Sequence, residues 1–152
     1  MLDLYGELWR IVDALDRAGV AYAIAGGLAV SIYSTPRATE DIDLLIPQDA
    51  LGRAIAALEL LGFRAAPRAM RVAEGRIEIQ RLTKIDGADL LPLDLLVVTD
   101  PTLASVTADR TERTLEGRPI SIIGLRALRA LTRLRGSALD RADLEALGPD
   151  DP

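Results

Sequence analysis

"AIAGGLAVSIYSTPRATEDIDLLI", residues 23–46, is the stretch on which the fold turns. "VAYAIA" (20–25) runs into it as a short buried strand, Gly26 and Gly27 punctuate, and "LAVSIY" (28–33) has the look of a helix. "DIDLLI" (41–46) is a second strand, closed by Pro47. A glycine pair between strand and helix lets a ligand approach the backbone, and the helix start offers free N–H groups to an anion. In a strand, residues i and i+2 share a face, so Asp41 and Asp43 present two carboxylates side by side at the mouth of an apolar run. Like charges that close repel, and each favours protonation unless a cation sits between them.

A third acid follows in "LPLDLLVV" (91–98), where Asp94 has apolar neighbours on both sides. A lone carboxylate in such a run is costly to bury. If that strand lies beside the first, Asp94 converges on Asp41 and Asp43, and an all-oxygen site of this kind suits Mg²⁺ or Mn²⁺. Simpler readings stand beside this one. An Asp-x-Asp at a strand start also serves as a turn or cap, an Asp94 at a strand end would face water, and a glycine pair alone is usually a tight turn. Glu78 competes with Asp94 as third acid, although Arg76 and Gln80 on its face point it toward solvent.

Outward from this centre, Leu4, Leu8, Ile11, Val12 and Leu15 have helical spacing over residues 2–18, with Gly19 as the stop. Asp49 is placed to cap a third helix through Leu61, ended by Gly62. Residues 71–82 form a hairpin turning at Glu74-Gly75, and residues 110–123 another at Glu116-Gly117. Helices over 124–135 and 138–147 finish a single domain, 1–147, before a short tail, 148–152. Helices and strands intermingle, so the expected class is α/β (α+β), with a central mixed β-sheet flanked by helices.

Composition narrows the chemistry. The 152 residues include no cysteine and no histidine, which removes thiolate catalysis, imidazole bases and histidine-ligated zinc. The net charge of −5 opposes non-specific coating of nucleic acid. Lys84 is the only lysine. The arginines gather in two stretches, Arg64 to Arg81 and Arg110 to Arg141, read either as solvated faces or as a surface for phosphates or RNA. No apolar run approaches the roughly 20 residues that span a bilayer, and the first residues lack a basic leader. The expected location is the cytoplasm, with no membrane partner.

The order of these motifs resembles the DNA polymerase β-like nucleotidyltransferase superfamily. The residues that carry the resemblance are "AGGLAVSIYSTPRATEDIDLLI" followed by "LPLDLLVV". The form "GG-x-A…R-x-T-x-D-I-D-L", with the tail "EGRPISIIGLRALRALTRLRGSALDRADLEAL", is more similar to small bacterial nucleotidyltransferase-like proteins, including AbiEii-type toxins. The resemblance implies a nucleotidyltransferase fold and transfer of a nucleoside monophosphate from an NTP to a hydroxyl of RNA, tRNA or a small molecule. It implies Asp41, Asp43 and Asp94 as catalytic residues and metal ligands for Mg²⁺ or Mn²⁺, and Gly26 and Gly27 against the triphosphate. Arg133 stands where similar proteins carry a lysine, Ser137 where an arginine is frequent, and Gly27 where many have serine. Arg37 either steadies the triphosphate or pairs with Asp41 or Glu40. The chain has little beyond the catalytic domain, so an acceptor-binding part is expected to be absent or to come from a homodimer mate or an antitoxin partner. The alternative is a module without turnover that binds nucleotide or a protein in a toxin–antitoxin or defence system.

Overall fold

The computed structural model describes residues 2–34, 41–135 and 138–148, with only the backbone of 138–140. Helix α1 (Leu4–Arg17) begins where Asp3 accepts a hydrogen bond from the Gly6 amide at 2.9 Å and ends before Gly19, at φ +69°. Of the positions the spacing predicts, Leu8, Ile11, Val12 and Leu15 are buried and Leu4 is half-buried. Strand β1 (Ala23–Ala25) is shorter than "VAYAIA" and feeds directly into α2 (Gly26–Tyr33). Strand β2 (Ile42–Leu45) returns antiparallel to β1, with Asp43 opposite Ala25. Asp49 does not cap the third helix. It is taken into a 3-10 turn (Gln48–Ala50), and α3 (Leu51–Glu59) starts from Ala50 without a side-chain cap.

Strands β3 (Arg64–Ala65) and β4 (Met70–Val72) both pair with the long β5 (Ile77–Asp86). The β4–β5 turn falls at the expected Glu74-Gly75, and Ala73, Glu74 and Gly75 all have positive φ. Strand β5 runs past the end expected for it and folds back on β6 (Asp89–Val98) through a two-residue loop led by Gly87 at φ +59°. A short helix α4 (Ala104–Ala108) follows. Strands β7 (Arg110–Leu115) and β8 (Arg118–Ile123) form the second expected hairpin. Glu116 and Gly117 both lie at positive φ, as a tight two-residue loop requires. Helices α5 (Leu125–Arg135) and α6 (Ala138–Leu147) close the described chain.

The described strands form one mixed sheet in the order β3-β5-β6-β2-β1-β8-β7, with β4 beside β5. The β2–β6 and β1–β8 neighbours are parallel and the others antiparallel. Helices α1 and α3 pack together. Lys84 of β5 bonds Glu7 of α1 at 2.9 and 3.1 Å, so α1 covers the face that carries Lys84. Arg118, at the start of β8, stacks over the α1 residue Trp9 at 4.3 Å and bonds Asp13 at 3.0 Å. Helices α2, α4, α5 and α6 pack on one another. Between the layers Leu8, Ile24, Ile42, Leu44, Leu93, Leu95 and Ile122 are fully enclosed. Each such side chain contributes about 1.5–3 kcal/mol of apolar burial. Among the described residues no helix is long and apolar enough to cross a membrane.

Candidate active site

The sheet register builds the centre. Strand β6 lies parallel to β2 with Asp94 directly opposite Asp43, so the two carboxylates stand as neighbours on one face. Asp94 is buried and Asp43 half-buried. Above Asp43 lies the start of α2. Gly26 holds φ +60°, and its Cα faces the Asp43 carboxylate so closely that a Cβ there would collide with it. The glycine is therefore required twice, by its backbone angle and by the acid beneath it.

Burial pushes the Asp43 carboxyl up to about 7, and the negative charge of Asp94 pushes in the same direction. Asp41 adds to this, while Arg135 and Arg81 oppose it. Asp41 itself is exposed, one residue before β2, and acts on Asp43 through its charge. Glu78 pairs with Val97 on the other face of the sheet, so it takes no place beside Asp94. The face it occupies is not open to solvent as expected, since Gln80 is buried there and bonds the carbonyls of Ala66 and Arg81.

Two arginines belong to the site that the residue pattern did not single out. Arg81 is the cross-strand partner of Asp94 and grips both its oxygens, Nε to Oδ1 at 2.9 Å and a terminal nitrogen to Oδ2 at 3.0 Å. Arg135, the last residue of α5, is felt electrostatically at Asp43. Arg133 lies exposed in the same last turn. Gly27 is the second residue of α2. Arg37, Glu40 and Ser137 lie outside the described residues.

Among the described residues no three acidic, histidine or cysteine side chains are gathered as a ready metal cage. The donor set still fits a hard divalent cation. Asp43 and Asp94 are adjacent oxygen donors whose mutual repulsion a cation relieves, and Asp94 already holds one in the form of a guanidinium.

The family model for aminoglycoside-2''-adenylyltransferase matches residues 7–147, nearly the whole chain. The chain belongs to that family. No curated protein sequence matches it. Among solved structures, the family member is similar to ANT(2")-Ia in complex with adenylyl-2"-tobramycin, at 20% identity and TM-score 0.58, over 84% of this chain and 74% of that one. It is similar to the lincosamide antibiotic adenylyltransferase LnuA, lincomycin-bound, at 18% identity and TM-score 0.60, over 93% and 94%. A Thermotoga maritima protein of the same fold aligns at 13% identity and TM-score 0.63, over 91% and 88%. At these identities the likeness establishes the nucleotidyltransferase fold: a central mixed sheet flanked by helices.

Proposed function

We propose that this family member transfers the adenylyl group of ATP to a hydroxyl of a small-molecule acceptor, with Asp43 and Asp94, completed by Asp41, holding Mg²⁺ or Mn²⁺. The observation that carries the reading is the in-register pair Asp43–Asp94 beneath Gly26, two acids held together at a spot where the backbone is bare. The family match, together with neighbours solved in complex with adenylyl-2"-tobramycin and with lincomycin bound, favours a small hydroxylated antibiotic over RNA as acceptor.

A bound divalent cation supplies charge that eases deprotonation of the attacking hydroxyl and stabilises the departing pyrophosphate. The chain's own groups do the rest. Gly26 and Gly27 let the triphosphate lie close to the start of α2, where backbone N–H groups face it. Asp94 takes the acceptor's proton as its oxygen bonds to the α-phosphorus and the bond to the pyrophosphate oxygen breaks. Asp43 holds the negative charge that orients the reacting groups. Arg37 and Arg133 are proposed as contacts to the triphosphate.

The grip of Arg81 on Asp94 favours a second reading, a module that binds nucleotide without turnover. One assay separates them. The protein is incubated with α-labelled ATP, Mg²⁺, total RNA and a panel of hydroxyl-bearing antibiotics. The expected result is label on an acceptor with one pyrophosphate released per transfer. Label on RNA alone overturns the acceptor class. ATP binding with no transfer to any acceptor establishes the module.

A further inference from the structure

We infer that Arg81 stands in for the metal at Asp94 and makes occupation of the site by a divalent cation conditional on the nucleotide. The inference rests on the proposed metal-dependent transfer.

The two partners of the pair differ in exposure. The Asp94 side chain is 12% exposed and fixed in the middle of β6, whereas the Arg81 side chain is 45% exposed. The acid is held in place, and the cation is the partner that can leave for water. In its present position the guanidinium bonds both Asp94 oxygens, so a divalent ion reaching Asp43 meets a second ligand whose charge is already compensated. A free ion must break two charge-assisted hydrogen bonds and leave the guanidinium to solvent. An ion arriving with a triphosphate breaks the same bonds, but the released guanidinium then faces phosphate oxygens on the same side of the sheet. The anion compensates the arginine for the lost carboxylate. Metal and nucleotide therefore bind with positive coupling, and the coupling depends on Arg81. The same contact sets a positive charge beside the in-register pair of Asp94 and Asp43. Arg81 is a positioning residue here, because it acts through Asp94.

The test is Mn²⁺ binding, followed by the paramagnetic signal of the free ion, with and without a non-hydrolysable ATP analogue. For Arg81→Met the expected result is Mn²⁺ affinity without nucleotide raised roughly tenfold or more over the parent, with the nucleotide-induced gain reduced by a similar factor. Arg81→Lys keeps the charge but only one contact and should fall between. Arg81→Gln reads the same affinity should the methionine variant not fold. A parent that binds Mn²⁺ with nucleotide, and an Arg81→Met that binds it no more tightly without, overturns the role of Arg81 and leaves the transferase reading intact. A parent that binds no Mn²⁺ under either condition overturns both.

Discussion

At the scale of the residue, the balance of charge around Asp43 sets measurable behaviour. A carboxyl raised to about 7 in the folded protein binds a proton that the unfolded chain has released above about 4. Its contribution is therefore fully present below about pH 4 and is lost as pH rises through about 7. Metal-free protein should lose stability across that window, and Asp43→Asn should flatten the loss and be at least as stable as the parent at pH 8. Urea unfolding of the two proteins at a series of pH values reads the difference directly. The same variant should abolish adenylyl transfer, and a variant active near the parent level would remove Asp43 from the chemistry. Gly26→Ala makes the complementary point. A Cβ forces both a left-handed backbone and the Asp43 carboxylate to shift, at a cost of about 1–3 kcal/mol, and the displaced acid should no longer respond to Mg²⁺. Parent-like unfolding and a parent-like Mg²⁺ response would show that the contact is dispensable.

At the scale of the element, the pairing of strands explains what the sequence made legible and what it hid. Asp94 stood out because a charge in "LPLDLLVV" needs a reason, but its meeting with Asp43 depends on β6 lying next to β2, which no local pattern encodes. Arg81 was legible in principle. The Asp86-Gly87 dipeptide is a strong hairpin signal, and counting outward from a loop at Gly87-Ala88 pairs 86 with 89 and hence 81 with 94. Without that turn the arginine merges into a basic stretch. Helix α4, five residues with no side-chain cap, is too short for periodicity to reveal. Asp49 was misplaced because a 3-10 turn ahead of α3 moved the helix start past it. The same β5 carries a contact of a different kind on its other face. Lys84 and Glu7 are 16% and 7% exposed, so removing the lysine leaves the buried Glu7 the longer 3.8 Å pairing with the exposed Arg10. Lys84→Met should destabilise by about 3–5 kcal/mol, and the double change Glu7→Leu/Lys84→Met should recover most of that. Denaturant titrations of the parent, both single variants and the double one close the cycle, and a single variant within 1 kcal/mol of the parent, on the order of an exposed pair, would refute the burial argument.

At the scale of the whole molecule, the fold was legible through the family resemblance that the glycine pair, the Asp-x-Asp and the later acid carry in that order. The bound state should behave as one unit. ATP and Mg²⁺ together should raise the melting temperature where neither alone does, since a ligand that binds only the native state stabilises it by about 2.7 kcal/mol at a hundredfold excess over its Kd. Equal shifts with and without EDTA would mean that arginines alone hold the phosphates. The stack of Arg118 on Trp9 bears on how such shifts are observed. Trp9 is the only tryptophan, and α1, which carries it, lies on the Lys84 face, across the sheet from Arg81 and the acids. Its emission reports whether α1 stays docked against β8. A fluorescence-detected melt thus watches the molecule from behind: it registers global collapse of the sheet and is optically blind to events confined to the face that carries the acids, which need a label or a paramagnetic ion placed there.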